Sequence, residues 1–433
     1  MSPKTPEFID LFFEELDRRE IPYVIIHSYQ NLPHDVRSDI DYAVYDRDLQ
    51  KLTEIQEELG HSHGWAVLQS LQHGACAFYN VLASLADPRQ ILQLDACSNY
   101  TRARRLLVSD RVLLDNRRRF GKYWIPDPAA EFAYEVTKLF DAKQKDPAVY
   151  IPRLKALWEQ DKDAAQSHFE RAFGSGSKSL EQWFDSPPGQ WLSLRDSMLA
   201  RNKFEPLLLC RESIRVLKRL LRPAGVQITL LGSDGSGKTT LITKMRAETN
   251  DFFRRFNVYH FRPKYFESKG EGTAVTDPHA EPVYGVMRSM AKLLYYFFDY
   301  WTGFVLKIYR QRVETTLVVF DRDFDDLLVD PRRYRIAPAA LGLARLLRRF
   351  LPKSEMIFIL DVDPAACHAR KPELPVAELE RQRAALRSLA EKSDRYVLVC
   401  ADTPPTEVAR KVSDGILGIL LKRRGLPGRT GIE

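Results

Sequence analysis

A glycine-rich turn between two regular elements carries the clearest chemistry in this chain. Residues 228–240 read ITLLGSDGSGKTT, so an apolar run leads directly into the spacing G-x-x-x-x-G-K-T. Leu241 and Ile242 then begin a helix-like pattern. The order strand, glycine turn, helix is the setting required of a loop that binds phosphate through backbone N–H groups. The sequence therefore predicts a polyphosphate site at this turn, and a plain glycine turn is the alternative.

The residues of this loop have separate expected roles. Glycines let successive N–H groups turn inward, and the following helix offers its positive dipole end to the same anion. We expect Lys238 to reach the β- and γ-phosphates and the Thr239 hydroxyl to bind Mg²⁺. The predicted ATP-binding residues are Gly232, Asp234, Gly235, Ser236, Gly237, Lys238, Thr239 and Thr240.

A second motif ends a later apolar run. Residues 315–322 read TTLVVFDR, which predicts a strand that finishes in Asp321-Arg322. A carboxylate at a strand tip beside the phosphate loop would hold Mg²⁺ directly or through water. Arg322 would offer a fork of donors to an anion. An isolated Asp-Arg pair is often a surface ion pair, but the register with the loop favours a functional site.

Three further carboxylates lie in the first hundred residues. Asp39 and Asp41 are two residues apart, so they share one side of a predicted strand. An apolar strand at 23–26 precedes them, and another strand at 91–95 ends in Asp95. A polar strand edge is the alternative interpretation of the first pair.

Composition sets broad limits on the protein. The chain has 433 residues, which is enough for two or three domains, and 44% hydrophobic and 28% charged residues are ordinary for a globular protein. The formal net charge of +7 fits anionic small substrates, nucleic acid or an anionic membrane face and selects none of them. Basic clusters such as 117–119 lack an RNA- or DNA-binding motif with interleaved aromatic residues, so we do not predict nucleic-acid binding.

Cysteine usage and hydropathy bear on the compartment. The five cysteines are far apart and form no C-x-x-C pair, which argues for a reducing compartment. The first residues contain no apolar signal region, and charges interrupt the most apolar stretch, 283–309. We therefore predict a cytoplasmic protein without a transmembrane segment, and we expect the Met and aromatic residues of 283–309 to form the face of a core helix.

The chain divides into zones by pattern. Residues 1–125 mix short strands and helices, residues 126–225 are mostly helical and end in a linker, residues 226–422 alternate strands and helices, and residues 423–433 form a tail. Loop signals fall at 174–177 and 187–189. Alternation of strand and helix implies a parallel sheet covered on both faces. Its strands are expected at 227–231, 257–261, 316–320, 356–360 and 396–399.

Residues 226–420 resemble the thymidylate kinase family of P-loop nucleoside monophosphate kinases. The loop with its internal acid Asp234, the VVFDR motif and the segment FILDVDPAACHAR at 358–370 are similar to motifs of that family, in the same order. Residues 382–390 resemble the helix after its lid. The resemblance implies an α/β P-loop kinase domain with a parallel sheet flanked by helices. It also implies transfer of the ATP γ-phosphate with Mg²⁺.

The resemblance assigns catalytic roles to four residues. These are Lys238, Asp321, Arg322 and Arg370, with Lys371, Arg381 and Arg383 closing over the transferring group. A solvated helix with ion pairs, such as Glu378 with Arg381, is the alternative for the last three. Thymidylate kinases are often dimers, so the resemblance also suggests a homodimer.

The acceptor site departs from the family pattern. Residues 260–264, HFRPK, keep an Arg-Pro pair only, and Pro331 stands where the family has a glutamine that reads thymine. Asp299-Tyr300 stands where its helix has Asp-Arg. A site loses discrimination when its hydrogen-bond partners are absent, so we do not expect thymidine monophosphate as acceptor. The predicted acceptor-binding residues are Asp234, Arg262, Tyr296, Arg322 and Arg332, and ordinary surface arginines are the alternative.

The N-terminal zone resembles the nucleotidyltransferase superfamily, as an α+β domain with a helical extension. Asp39, Asp41 and Asp95 occupy the positions of its acid triad, which collects two Mg²⁺ ions around a nucleoside triphosphate. His27-Ser28-Tyr29 fills the place of the superfamily's small Gly-Gly or Gly-Ser pair. The resemblance therefore leaves two alternatives, an active transferase and a domain that binds substrate without catalysis.

These observations predict an ATP- and Mg²⁺-dependent phosphotransferase. Its acceptor would be a nucleoside monophosphate or another small anionic or hydroxylated metabolite, such as a sugar or glycan intermediate. Two alternatives stay open: a nucleotidyltransferase that acts through the N-terminal acids, and an ATP-switched binding protein without an acceptor.

Overall fold

The structure is a computed structural model that describes residues 4–36, 39–87, 89–141, 147–173, 184, 205–266, 279 and 281–426. The chain divides into two compact units, Met1–Lys218 (unit 1) and Arg219–Glu433 (unit 2). The loop signals at 174–177 and 187–189 and the last residues of the predicted tail lie outside the described residues. The finer division of the first unit at residue 125 stays a prediction.

Unit 1 is built on a mixed five-stranded sheet in the order β1-β2-β5-β4-β3. Its strands are β1 (Tyr23–Ile25), β2 (Ile40–Val44), β3 (Trp65–Gly74), β4 (Ala77–Ser84) and β5 (Ile91–Cys97). Helices α1 (Thr5–Arg18), α2 (Asp46–Leu49) and α3 (Leu52–His63) accompany them. Phe8, Phe12 and Phe13 of α1 pack on Trp65 and Tyr42, so this aromatic cluster forms the centre of the unit's core.

Short strands and then helices complete unit 1. The strands are β6 (Tyr100–Arg102), β7 (Arg105–Val108), β8 (Arg118–Phe120) and β9 (Tyr123–Ile125), with α4 (Asp110–Leu114) between β7 and β8. The described helices that follow are α5 (Pro128–Asp141), α6 (Pro147–Gln160) and α7 (Lys162–Phe173), and α8 (Pro206–Leu221) leads into the second unit. Phe132, Leu154 and Phe169 form a separate apolar cluster between α5, α6 and α7.

Unit 2 contains the predicted parallel sheet. Its strands are β10 (Val226–Leu231), β11 (Arg255–His260), β12 (Thr316–Asp321), β13 (Met356–Asp361) and β14 (Tyr396–Cys400). All four neighbouring pairs are parallel, in the order β11-β12-β10-β13-β14. Every residue of the central strand β10 is buried, as expected for a strand covered on both faces. The α/β class and the parallel sheet flanked by helices are therefore confirmed for this unit.

Helices cover both faces of this sheet. They are α9 (Lys238–Glu248), α10 (Val286–Gly303), α11 (Tyr309–Val313), α12 (Phe324–Val329), α13 (Leu341–Phe350), α14 (Pro364–Arg370), α15 (Val376–Ala390) and α16 (Pro405–Arg423). On one face Phe320 packs with Tyr300 of α10 and Phe324 of α12. On the other, Ile357 packs with Leu386 of α15.

Helix α10 differs in part from the prediction. Leu293, Tyr296 and Tyr300 lie in the core, but Met287 is 80% exposed and Met290 is also accessible. The expectation that its methionines belong to the core face is therefore wrong, because the buried face follows the i, i+3, i+7 positions of the leucine and tyrosines. Within the described part of the chain, no helix is long and apolar enough to cross a membrane.

Candidate functional site

The glycine-rich loop lies at the carboxyl edge of the parallel sheet in unit 2. It joins the central strand β10 to helix α9, and β12 ends beside β10 at Asp321. Carboxyl edges of parallel sheets gather side chains from neighbouring strands, because each strand ends at the same side. The free N–H groups at the start of α9 point toward the same place.

Two glycines of the loop are required by close packing. A Cβ on Gly235 would lie 2.5 Å from the carbonyl oxygen of Cys367, and one on Gly232 would lie 2.7 Å from Ser236 Oγ. Gly235 and Gly237 also have φ angles of 82° and 89°, a conformation that side chains rarely adopt. The loop therefore holds a backbone cradle that a larger residue would fill.

Lys238 points into this cradle. Its side chain is buried, and its ammonium donates to the carbonyl oxygens of Gly232 at 2.6 Å and Ser233 at 2.9 Å. Burial and the charge of Arg322 lower the pKa of Lys238 to about 8, although Asp321 and Asp234 act in the opposite direction. The ammonium is thus held by neutral oxygens that phosphate oxygens can replace. Thr239 and Thr240 lie exposed in the first turn of α9.

Asp321 ends β12 next to the loop. Its Oδ2 lies 3.3 Å from His260 Nδ1, on the neighbouring strand β11, whereas its buried Oδ1 has no hydrogen-bond partner among the described residues. Burial would raise the pKa of Asp321, but the His260 hydrogen bond and the charges of Lys238 and Arg322 hold it below the ordinary value. An ionised carboxylate with an unsatisfied buried oxygen fits a hard divalent cation.

Asp234, inside the loop, joins two arginines. It pairs with Arg322 through one oxygen and with Arg333 Nη1 through the other, at 2.6 Å. All three side chains are largely buried. The two arginines and Lys238 hold the pKa of Asp234 far below its ordinary value, against the effect of burial.

The backbone fixes Arg322 in this position. Its N–H donates to the carbonyl oxygen of Leu230 at 3.0 Å, and its φ of 68° turns the chain away from β12. Its Nε lies 3.5 Å from Asp326, which also accepts a hydrogen bond from the Tyr334 hydroxyl. Burial would lower the pKa of Arg322, but Asp326 and Asp234 raise it above the ordinary value, so the guanidinium stays charged.

The structure does not bring two of the predicted arginines into this network. Arg332 is exposed and donates only weakly, at 3.5 Å, to the carbonyl oxygen of His279. Arg370 lies exposed at the end of α14.

The predicted lid residues are engaged elsewhere. Lys371 pairs with Glu373, Arg381 with Glu378, and Arg383 with Asp361. This is the ion-paired arrangement that the alternative interpretation describes. Their closure over a phosphoryl group stays a prediction.

Arg262 is brought close to Tyr296, as an acceptor site requires, but its charge is already matched. Its Nη1 lies 2.9 Å from Asp299 Oδ2, and both side chains are buried. Its guanidinium also lies over the ring of Tyr296, 5.2 Å from the centroid. Asp299 accepts further hydrogen bonds from the backbone N–H groups of residues 264–266. The pair thus fixes the loop that follows β11.

Sequence reasoning missed Arg333 and His260. Asp330 accepts a hydrogen bond from the N–H of Arg333, which closes a turn and directs Arg333, not Arg332, toward Asp234. His260 is level with Asp321 because β11 and β12 are parallel neighbours. The sequence alone could not choose between Arg332 and Arg333, because the direction of each side chain depends on the turn that Asp330 closes.

In unit 1 the three predicted acids come together. Asp41 on β2 and Asp95 on β5 are directly opposite in parallel register, and oxygens of Asp39, Asp41 and Asp95 all lie within 4.8 Å of one another. Ser38, the residue before the first acid, lies outside the described residues. Three clustered carboxylates have the donor chemistry of a divalent-cation site.

Side chains of the protein already meet this acid triad. His27 Nε2 lies 2.7 Å from Asp41 Oδ2, Lys138 Nζ lies 3.8 Å from the same oxygen, and His73 Nε2 lies 2.8 Å from Asp95. Burial would raise the pKa of Asp41, but His27 and Lys138 hold it below the ordinary value. Beside them, His27, Ser28 and Lys138 line an open cavity of about 340 Å³. Of the residues at 27–29, His27 lies directly on the triad, whereas the Tyr29 hydroxyl donates to Glu131.

Comparisons with known proteins add little to this geometry. No protein-family model matches the sequence, and no curated protein matches it. Among the solved structures that match is a thymidylate kinase from Ehrlichia chaffeensis, with 17% sequence identity, 45% of this chain and 100% of that chain covered, and a TM-score of 0.31. A likeness at this score carries no argument about function. The structure shows an α/β unit with a glycine-rich loop at the carboxyl edge of its parallel sheet.

Proposed function

We propose that unit 2 is an ATP- and Mg²⁺-dependent phosphotransferase that moves the γ-phosphate of ATP to a small acceptor. One observation carries this proposal: the ammonium of Lys238 lies inside a glycine cradle, next to a strand-end carboxylate, Asp321, with an unsatisfied buried oxygen. Phosphoryl transfer needs positioning and charge neutralisation more than covalent chemistry, and these residues supply both.

Each residue has a distinct task in the proposed reaction. Lys238 exchanges its carbonyl partners for phosphate oxygens, and Asp321 and Thr239 would hold Mg²⁺, which supplies charge neutralisation when bound. Arg322 stays charged beside the loop. In the transfer, the bond from the γ-phosphorus to the β–γ bridging oxygen breaks and a bond from an acceptor oxygen forms. ADP leaves, and any proton on the acceptor oxygen passes to solvent.

The acceptor in this proposal is a nucleoside monophosphate or another small anionic or hydroxylated metabolite. Asp234, Arg322 and Arg333 line the loop on the side where β12 ends. Because Arg322 and Arg333 converge on one carboxylate, an incoming anionic group can share their remaining donors. A homodimer and a cytoplasmic location stay predictions.

The test is ADP formation by the full chain with ATP and Mg²⁺ across nucleoside monophosphates, sugars and sugar phosphates. We expect one acceptor class to stimulate the wild type and Lys238→Ala to lower that rate by at least about 10²-fold. Lys244→Ala, an exposed lysine on the same helix, is the matched control and should keep the rate. Equal rates in wild type and Lys238→Ala would refute the proposal. ATP hydrolysis that no acceptor stimulates would indicate an ATP-switched binding protein instead.

A second candidate function, nucleotidyl transfer by unit 1, is supported by the acid triad of Asp39, Asp41 and Asp95 and the open cavity beside it. Its signature is release of pyrophosphate from a nucleoside triphosphate. That release should disappear in Asp41→Ala and persist in Lys238→Ala. The reverse pattern would exclude unit 1 as its source.

A further inference from the structure

Three cations gather around one tyrosine at the start of helix α10. The guanidinium carbons of Arg288 and Arg335 each lie 3.9 Å from the ring centroid of Tyr284. The ammonium of Lys292, one turn along α10, lies 5.1 Å from the same centroid. We refer to Tyr284, Arg288, Lys292 and Arg335 as the basic cluster. No sequence motif singled out Tyr284, Arg288 or Lys292 as a binding residue.

Backbone hydrogen bonds hold the basic cluster in place. The N–H of Tyr284 donates to the carbonyl oxygen of Arg335 at 3.0 Å, and Arg335 Nε donates to the carbonyl oxygen of Pro282 at 2.9 Å. Lys292 Nζ donates to the carbonyl oxygen of Tyr334 at 2.8 Å. Buried Ser289, between Arg288 and Lys292 on α10, accepts from the N–H of Ala337. Backbone carbonyl oxygens therefore fix Lys292 and Arg335, whereas Arg288 is exposed and lies on the ring of Tyr284.

The charge of the basic cluster is poorly matched by the protein. Among the described residues, its one ion pair joins Arg335 to Glu281 at 3.1 Å, and that glutamate is 68% exposed. Burial, followed by the charges of Arg335, Arg262 and Arg288, lowers the pKa of Lys292 to about 8. Because these positive charges repel one another, an anion bound between them would stabilise the cluster.

The basic cluster is linked to the phosphate loop through Tyr334. The carbonyl oxygen of Tyr334 accepts from Lys292, and its hydroxyl donates to Asp326 at 2.7 Å. Asp326 in turn lies 3.5 Å from Arg322, which pairs with Asp234 of the loop. The cluster and the loop therefore share one connected network on the side of the sheet where α10 packs.

Arg262, the residue expected to bind an anionic acceptor, is matched by Asp299 at 2.9 Å. Within the described part of the chain, the charge of the basic cluster is paired with one exposed glutamate, Glu281, and its guanidinium forks suit the oxygens of a phosphate. We propose that the basic cluster binds the phosphate monoester group of the acceptor, so that the acceptor is an already phosphorylated small molecule. Its role as acceptor rests on the proposed function of unit 2, whereas binding of the phosphate group does not.

The first experiment measures binding alone, without ATP. Isothermal titration of the full chain with glycerol 3-phosphate, at low salt, should show binding that glycerol does not show. Arg288→Gln/Arg335→Gln should weaken it about 10- to 100-fold, since two charged forks are lost. Lys292→Met should weaken it in the same direction. Arg349→Gln, an exposed arginine in the last turn of α13, is the control and should bind as the wild type does.

Folding is checked by the melting temperature and by ATP affinity, which should both match the wild type. The inference would be overturned if the wild type did not bind glycerol 3-phosphate at about 10 mM, a concentration that would detect even a millimolar dissociation constant. Equal affinity in the wild type and both cluster variants would overturn it too. A carboxylate probe that binds as tightly as glycerol 3-phosphate would also contradict the assignment of a phosphate group.

A second arm separates this inference from the proposed function. If unit 2 transfers phosphate, Arg288→Gln/Arg335→Gln should raise KM for phosphorylated acceptors about 10-fold or more while kcat changes little, as expected for lost ground-state binding. Transfer that depends on Lys238 but prefers neutral acceptors, with KM unchanged in the variant, refutes the inference and keeps the function. Loss of phosphate binding in the variants, with no Lys238-dependent transfer, refutes the function and keeps the anion site.

Discussion

In unit 1, Asp41 and Asp95 face each other on neighbouring parallel strands, and each is in close contact with a histidine. In unit 2, Asp321 ends a parallel strand and keeps one buried oxygen without a hydrogen-bond partner among the described residues. Both regions contain carboxylate oxygens that could bind a divalent cation, but the protein's own side chains contact them differently. The carboxylates of the two units therefore have different local environments.

The difference lies in what stands in front of the carboxylates. His27 and Lys138 lie against Asp41, at 2.7 and 3.8 Å, where a cation would bind. His260 approaches Oδ2 of Asp321 from the neighbouring strand, is 61% exposed, and leaves Oδ1 without a hydrogen bond within the described structure. The two sites therefore differ in direct contacts to the carboxylate oxygens, because Asp321 keeps one oxygen without a hydrogen-bond partner among the described residues. Both carboxylates lie near positive charge, from His27 and Lys138 at Asp41 and from Lys238 and Arg322 at Asp321.

The largest expected effect separates the two sites directly. Asp321→Asn should lower ATP-dependent transfer by about 10³-fold, because a neutral amide holds a divalent cation poorly. Asp41→Asn should leave the same rate within twofold. The measurement is kcat for ADP formation with the best acceptor. A larger loss in Asp41→Asn than in Asp321→Asn would reverse the comparison.

The next effect concerns the buried ion pair between Arg262 and Asp299 in unit 2. Asp299→Ala should destabilise the protein by about 3 kcal/mol, because Arg262 and three backbone N–H groups lose a buried partner. The measurement is the urea midpoint of full-chain unfolding. Asp394→Ala, an exposed acid, should change stability by no more than about 0.5 kcal/mol. Equal effects in the two variants would mean that the buried pair is not structural.

A third effect tests a buried carboxylate of unit 2, Asp323, which accepts hydrogen bonds from Thr229 and from the N–H of Asp325. Burial and the charge of Asp325 raise the pKa of Asp323 to about 7, against the pull of Arg348. The folded state therefore binds more protons than the unfolded state between about pH 4 and 7, so stability falls as pH rises through that window. Asp323→Asn should stabilise by about 1–2 kcal/mol at pH 8 and by less at pH 5. Thermal unfolding at both pH values measures the difference, and a loss of stability at pH 8 would contradict the shift.

The smallest effect returns to unit 1. His27→Gly should raise the affinity of the acid triad for Mn²⁺ about tenfold, since one charge-assisted contact to Asp41 no longer competes. Titration is best done in an Asp321→Asn background, with exposed His34→Gly as control. Lower affinity for Mn²⁺ in His27→Gly would show that His27 is a metal ligand. It would contradict the statement that His27 competes with a cation at Asp41.

The sequence predicted the elements and motifs of unit 2 well. Four of the five strands are mainly apolar runs, whereas β11 reads RFNVYH and begins at Arg255, two residues before the predicted strand at 257–261. The motif G-x-x-x-x-G-K-T needs only its flanking strand and helix to be interpreted. The register between strands and the geometry of the turns could not be predicted from the sequence. Arg262 pairs with Asp299, which is distant in the sequence, and Arg333 pairs with Asp234 in place of Arg332. Both pairings depend on the paths of the loops between the strands and helices.

In unit 1, too, the sequence did not predict which distant side chains contact the site. Asp41 and Asp95 come together because β2 and β5 pair in parallel, and it was the resemblance to the nucleotidyltransferase superfamily that predicted Asp95 as the third acid. His73 reaches Asp95 from the end of β3, two strands away in the sheet order, and no local pattern marks it. The charge environment of a site is set by such distant contacts, which explains why the sequence predicted the acids but not their partners.

Binding of ATP with Mg²⁺ to the full chain, measured by isothermal titration, tests most directly whether the nucleotide uses the loop of unit 2. We predict one site in the wild type, weakened at least about 10²-fold in Lys238→Ala and unchanged in Asp41→Asn. Unchanged affinity in Lys238→Ala together with loss in Asp41→Asn would contradict the account and place the nucleotide in unit 1.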